Sequence, residues 1–310
     1  MDYRVEIDFE GRSILDFMKI KLGLSSALRK RLKFIENGIL LNGVHATVRA
    51  VLHSGDTLSL AIEDTEGSPK LVAVELELPI VYEDDDLVIP NKPADMPTHP
   101  SRDHYEDTVA NALAFRYKDL DTPFVFRPVN RLDRNTSGAL LIARNRVAAG
   151  YLSKALCDGK IKKTYAAILC GTPKEESGKI ETYMRRTAES IIVRENCGKN
   201  EGGDHALTEY RVVATTPEYS LVLASPITGR THQLRVHFAG IGCAILGDDL
   251  YGEESPLISR HALHACSLTF PLPSTKKETL VTAPLPSDMG ELVVSLFGAE
   301  SYEKLFEIKN

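Results

Sequence analysis

The 310-residue chain has no tryptophan and only five cysteines, at 157, 170, 197, 243 and 266. The cysteines are odd in number, far apart and never arranged as C-x-x-C. Reduced thiols in a cytoplasmic protein fit this pattern better than a disulfide framework. No apolar run approaches the roughly 18–20 residues that cross a bilayer, and the opening MDYRVEIDFEGRSI is polar. Neither a signal segment nor a membrane partner is therefore expected. The chain has no G-x-x-x-x-G-K-[ST] loop for nucleotide hydrolysis and no H-E-x-x-H pair. His232, His237, His261 and His264 consequently read as non-metal histidines, although the last two are spaced H-x-x-H. LDRNTSG is not the Asp-Thr-Gly loop of an aspartic protease, and no second such loop follows. Low-complexity tracts are missing too: 43% hydrophobic and 26% charged residues are ordinary for a globular chain.

Positive charge is also short overall, at net −6, yet it is unevenly spread. Between Arg12 and Arg49 eight Lys or Arg face only Asp16 and Glu36, whereas nine acids face Lys70 alone between 61 and 86. A basic segment beside an acidic body suggests a polyanion-binding module. Residues 13–22 and 25–37 read as helices, the second capped by Ser25 or Ser26 and stopped by Gly38. Leu28, Leu32 and Ile35 share its apolar face, while Arg29, Lys30 and Lys33 project elsewhere. GILLNGVHATV then reads as a hairpin turning at Asn42-Gly43, and GDTLSL closes the segment. This order resembles the small S-four-type RNA-binding domain named after a small-subunit ribosomal protein. The resemblance implies contact with structured RNA through phosphates. The expected organisation is this domain over 1–65, a polar linker over 66–78, and a catalytic domain over 79–310.

In the remainder, LVAVELEL, DDDLVIP, GALLIAR, KKTYAAILCG, TEYRVVAT and YSLVLAS read as strands. DTVANALAFRYK reads as a helix capped by Asp107, NRVAAGYLSKALCDG as one capped by Asn145, and THQLRVHFAG as one running from Thr231 to Gly240. Strands dominate without a regular βαβ beat. The expected class is α+β: a mixed, largely antiparallel sheet flanked by helices and loops, plus the small N-terminal α/β RNA-binding domain.

The most unusual stretch is NRLDRNTSG, 130–138, where Arg131 and Arg134 flank the single carboxylate Asp133. By itself it is a charged turn before a strand. With NKPADMPTHP (91–100), GKIKKTYAAILCG (159–171), TGRTHQLRVHFAG (228–240), RHALHACSLTFPLP (260–273) and TAPLP (282–286), it resembles the RluA-type pseudouridine synthases over essentially all of 80–290. The resemblance implies isomerisation of uridine in RNA, with no cofactor, because no redox step or group donor enters. It assigns Asp133 as nucleophile, Arg230 as the guanidinium paired with it, and Tyr165 as the ring that stacks on uracil. It assigns Arg131 to the place of the flipped-out base and Arg134 to nearby phosphate. Lys160, Lys162, Lys163, Arg144 and Arg146 are expected to keep the surroundings basic. The arrangement implies ribosomal RNA of the large subunit as partner, with transfer RNA as the other candidate, and a monomeric protein. A non-catalytic RNA-binding or ribosome-assembly factor on the same fold is the competing reading, against which Asp133, Tyr165 and Arg230 stand intact.

Three positions depart from the family pattern: Asn130 for histidine, Asp95 for glycine, and Cys243-Ala244 for a His-Pro-like pair. They are expected to affect the RNA-contacting rim. Asn130 is expected to be structural, hydrogen-bonding the loop that presents Asp133.

Overall fold

A computed structural model of the chain describes residues 1–68, 70–120 and 122–307. The N-terminal segment builds a sheet of its own. Strands β1 (Asp2–Arg4), β2 (Ile39–Leu41), β3 (Val44–His45) and β4 (Thr57–Leu60) pair antiparallel in the order β1-β4-β2-β3. Asn42 at φ 50° and Gly43 at φ 80° form the two-residue β2–β3 turn, where both positions must be left-handed. Two short helices, α1 (Ile14–Asp16) and α2 (Ser26–Leu32), pack Ile14, Leu28 and Leu32 into one apolar cluster with Phe17, Met18, Leu58 and Leu60.

Both expected N-terminal helices are shorter than their sequences suggested. The first gives way to a π turn over Phe17–Lys21. The second ends at Leu32, because Lys33 and Phe34 donate to Lys30 and Arg31 in tight i→i−3 bonds. The chain then reverses at Asn37, φ 54°, to enter β2. Gly38 follows as expected, and a Cβ there would stand 2.2 Å from the Leu32 carbonyl oxygen.

The rest of the chain forms a mixed, mostly antiparallel sheet with helices around it. Its elements are β5 (Ile80–Glu83), β6 (Leu87–Lys92), α3 (Val109–Arg116), β7 (Arg127–Pro128), β8 (Ser137–Ala139), β9 (Ile142–Ala143), α4 (Arg146–Cys157), β10 (Lys162–Cys170), β11 (Ser177–Arg186), β12 (Arg194–Cys197), β13 (Asp204–Thr215), β14 (Tyr219–Pro226), α5 (Gln233–Gly240), β15 (Leu263–Pro271), β16 (Glu278–Thr282), α6 (Ser287–Phe297) and α7 (Ala299–Lys304). The order is β12-β11-β13-β14-β10-β15-β8-β6-β9-β7, with β16 on β15 and β5 on β6. Among the described residues only β8 and β15 run parallel. Side chains of the central strands enter two apolar clusters. One joins Ile168 and Leu221 to Phe238 of α5 and Val293 of α6, and the other joins Leu87 and Phe270 to Leu152 of α4.

Three local expectations change. LVAVELEL is not a strand: Asn111 of α3 donates to the Val72 carbonyl at 2.8 Å and accepts from Val74 N–H through its own carbonyl at 3.3 Å. Its alternation is that of a segment lying across a helix. The α3 cap is Thr108, not Asp107, and Thr108 and Asn111 form a reciprocal capping box. GALLIAR breaks into β8 and β9, because Leu140 N–H turns to Pro90 and Leu141 N–H to the Asn130 side chain. Asn145 caps α4 as read, accepting from Ala148 N–H at 2.8 Å.

The N-terminal unit meets the larger one where Val147 of α4 packs against its apolar cluster and where one carboxylate joins two arginines. Asp64 accepts both oxygens' worth of contact from Arg127 at 2.6 Å and a further bond from Arg146 Nε at 2.5 Å. These side chains are 10–16% exposed. Arg146, expected to keep the active-site surroundings basic, is thus spent on this junction, and Arg144 is spent similarly on the Asp84 carbonyl and the Tyr117 ring. Removing Asp64 strands two nearly buried guanidinium groups, a change that typically costs about 3 kcal/mol or more. Asp64→Ala should therefore lower the thermal midpoint and open residues 61–72 to protease. Unchanged melting and cleavage would show that the clamp does not hold the two units together.

Candidate active site

The nucleophile candidate sits where the β7–β8 connection crosses the sheet, and close packing dictates its place. Gly138 pairs with Ala265 across the parallel β8·β15 seam at φ 116°, and a Cβ on it would lie 2.3 Å from the Ala265 carbonyl oxygen. Only glycine permits that approach. The two residues before it are held by the H-x-x-H segment. Thr136 Oγ1 bonds His261 Nε2 at 2.8 Å and Ser137 Oγ bonds His264 Nδ1 at 2.9 Å. His264 Nε2–H donates to the Ala283 carbonyl at 3.1 Å, so Nδ1 is its acceptor and Ser137 the donor. Thr136 N–H in turn donates to the Asp133 carbonyl at 3.1 Å, closing the turn that carries the carboxylate.

From the other side, Lys92 fixes the same turn. Its fully buried ammonium donates to the carbonyls of Pro93, Met96 and Arg134 at 2.7–2.8 Å. Burial, with a smaller push from Arg260, lowers the Lys92 pKa to about 7, against the pull of Asp133 and Asp95. Three acceptors match the three N–H bonds of a charged ammonium, which favours the protonated form through neutrality. Thr98 Oγ1 adds a bond to the Leu132 carbonyl at 3.2 Å. Sequence reading passed over Lys92, whose only signal was a lysine in the NKPADMP loop.

Asp133, Tyr165 and Arg230 all line one cleft of about 590 Å³, together with Asn130, Arg131 and Arg134. Sequence reasoning therefore chose residues that the fold does gather. The pairing within the cleft is different. Among the described residues Asp133 has no ion-pair partner within 4.0 Å, while Arg230 Nε donates to the His205 carbonyl at 2.9 Å and its Nη1 lies 3.8 Å from Asp204. The buried guanidinium of the cleft belongs to Arg235, five residues on. It is 4% exposed, bidentate on the fully buried Asp248 at 2.5 and 2.7 Å, and stacked 5.1 Å from the Tyr251 ring centre. Burial works against its charge, Asp248 restores it, and Asp133 adds to the pull. The signal was present in TGRTHQLR: the inward face of a helix beginning at Gln233 carries Arg235, whereas Arg230 precedes the helix on its exposed approach.

Tyr165 on β10 is 8% exposed. Burial and then the Asp133 charge push its hydroxyl well above the usual phenol range, so it presents a ring and an O–H donor, not a phenolate. Arg131 stands exposed at the rim. Arg134 pairs with Asp95 at 2.6 Å, and Asp95 sits at φ 60°, the left-handed conformation that explains a glycine preference there. Cys243, expected at the rim, is instead buried in the core beneath α5. Asn130 Oδ1 accepts from Leu141 N–H at 2.8 Å, a structural bond of the kind expected, while its buried Nδ2 has no partner among the described residues. In the basic segment Lys30, Arg31 and Lys33 are exposed, but Arg29 folds back onto the Leu24 carbonyl at 2.5 Å. Lys160 and Lys162 are exposed, and burial beside the cleft lowers the Lys163 pKa.

The histidines have a collective consequence. Burial lowers His237 and His264 to about 4 and His261 to about 3, with Arg235 acting second on His261. All three are neutral in the fold, whereas an unfolded histidine protonates near ~6.5. Between about pH 6.5 and 4 the unfolded chain thus binds more protons than the native one, and native stability falls with pH. Urea midpoints should drop steadily from pH 6.5 to 5, before carboxylates titrate. A flat midpoint over that window would mean that these imidazoles are not held neutral.

Comparison with known proteins gives the family. The family described as RNA pseudouridylate synthase matches residues 86–240. An uncharacterized RNA pseudouridine synthase of Bacillus subtilis, YjbO, is 35% identical over 88% of this chain and 95% of its own length. A ribosomal large subunit pseudouridine synthase D of Vibrio cholerae is 34% identical over 86% of each chain. Among solved structures, human RNA pseudouridylate synthase domain containing 1 superposes with a TM-score of 0.57 at 31% identity, covering 69% of this chain and 86% of that one. Sequence, fold and cleft converge: the chain belongs to the RNA pseudouridylate synthase family and is an RNA-modifying isomerase.

Proposed function

We propose that this enzyme isomerises uridine in large-subunit ribosomal RNA, with Asp133, Tyr165 and Arg235 as its working residues. The observation that carries the assignment is their meeting in one cleft, with an exposed arginine, Arg131, at its edge. The ribosomal preference is supported by the names of the Vibrio cholerae and Pasteurella multocida relatives. Uridine in folded RNA must leave its stack, at a cost of a few kcal/mol, and Arg131 is placed to occupy the vacated space. Tyr165 offers the flipped uracil a flat apolar face. Asp133 acts as the nucleophile that opens the bond between base and ribose, and the base rejoins through carbon 5. The rearrangement is internal, so electrons and groups balance without a cofactor. Arg235 holds positive charge behind Asp133, and Asp248 anchors it so that it does not collapse onto the nucleophile. The N-terminal unit, with Lys30, Arg31 and Lys33 outward, supplies a phosphate-binding surface of the S-four type. Five free thiols fit a reducing compartment, the cytoplasm.

Asp133→Asn should abolish tritium release from RNA labelled at uridine carbon 5, while RNA affinity stays within a few-fold. Turnover within tenfold of wild type would refute the nucleophile. Arg235→Lys should lose roughly 100-fold or more, because an ammonium cannot reproduce the bidentate fork. Arg230→Ala should lose far less, and the reverse order would return the role to Arg230. Replacing Lys30 and Lys33 by Glu should flatten the slope of log affinity against log salt by about two, if each meets one phosphate. An unchanged slope would remove the N-terminal unit from the RNA interface.

A further inference from the structure

His232 lines the cleft and is bound differently from the buried histidines His237, His261 and His264. His232 precedes α5 with φ 58° and ψ 18°, a left-handed conformation uncommon outside glycine that recurs at functional sites. Its Nδ1 lies 2.8 Å from the Tyr251 hydroxyl, and the two rings meet edge to face at 5.6 Å. The Tyr251 oxygen already accepts from Arg194 N–H at 2.8 Å, and its own proton has no other acceptor among the described residues. The phenol therefore donates to Nδ1, which leaves the hydrogen of the neutral imidazole on Nε2. Burial favours that neutral form, with Asp133 pulling the other way. Nε2 has no protein partner among the described residues and keeps access to solvent, and His232 lines the cleft. It is a donor left open towards the substrate space.

We propose that His232 is a further substrate-contacting residue, whose Nε2–H, set in its tautomer by Tyr251, donates to a carbonyl oxygen of the flipped uracil. A neutral donor beside a carboxylate suits a neutral acceptor, whereas a phosphate would be repelled by Asp133 and is better met at the rim. Uracil also has a useful symmetry. Turning the ring about its N3–C6 axis exchanges N1 with C5 and, together with them, the two carbonyl oxygens. One fixed donor can thus hold one carbonyl before the base turns and the other afterwards. Tyr251 is the positioning residue, and Arg194 connects it to β12.

The inference rests on the cleft being the uridine site. An active Asp133→Asn enzyme would sink that reading without touching the tautomer assignment. The test exploits side-chain length. A Gln amide reaches the place of Nε2, whereas an Asn amide reaches only that of Nδ1. On large-subunit ribosomal RNA from cells lacking this gene, His232→Gln should keep single-turnover rates within about tenfold of wild type. His232→Asn should lose about 100-fold, the usual scale for a missing transition-state donor. Asn tolerates the left-handed backbone better than Gln, so this order opposes the order of stability. Asn matching or exceeding Gln would reduce His232 to a support for Tyr251 and overturn the proposal. If the Gln variant fails to fold, nitrogen-15 spectra of histidine-labelled protein decide. Wild type should show His232 as the Nε2–H tautomer, with Tyr251→Phe mixing the two forms, and an Nδ1–H wild type would overturn the proposal.

Discussion

The parallel contact between β8 and β15 is the constraint on which the cleft depends. Every other pairing in the large sheet is antiparallel among the described residues. This seam joins strands more than a hundred residues apart and rests on a glycine pressed against the Ala265 backbone. A side chain at 138 would push the strands apart and carry Thr136, Ser137 and the Asp133 turn away from Tyr165. The two histidines that bond Thr136 and Ser137 come from the partner side of the seam, so backbone and side chains specify the same alignment.

Around that seam the protein keeps several charges out of water, each with a stated partner. Lys92 spends its three N–H bonds on carbonyls, Arg235 faces Asp248, and Arg260 faces Asp288 while also donating to Asn135. Buried charges so matched add little net stability, but they define geometry sharply, because any shift leaves a charge unpaired. Asp133 is the exception: among the described residues it has no ion-pair partner, although Arg131, Arg134, Arg230 and Arg235 line the same cleft. For the nucleophilic role proposed for it that state is suitable, since a direct bridge would have to break before reaction.

The same logic separates surface arginines from working ones. Arg144 and Arg146 contribute to a basic count in the sequence, but in space they are fastened to Asp84 and Asp64. Of the basic residues singled out from the sequence, those left exposed include Arg131 at the cleft rim, Lys160, Lys162 and the outward side of α2.

Local chemistry alone determined the Asn42-Gly43 turn, the Asn145 cap, the strands β10, β13 and β14 and the α+β class, whereas β11 and β12 between them went unread. Each follows from a few adjacent residues. The motif set also determined the family and the cleft residues Asn130, Arg131, Asp133, Arg134, Tyr165 and Arg230, because each lies in a short contiguous stretch. Tertiary structure decided the rest. LVAVELEL alternates as a strand does, but it lies unpaired across α3 because Asn111 takes its backbone bonds. Arg230 and Arg235 both sit in one motif, and only the start of α5 at Gln233 sends one outward and the other beneath Asp133. Lys92 and the tautomer of His232 were invisible in sequence for the same physical reason. Their roles are defined by carbonyls and a phenol brought from distant segments, and a linear pattern carries no record of which groups will meet.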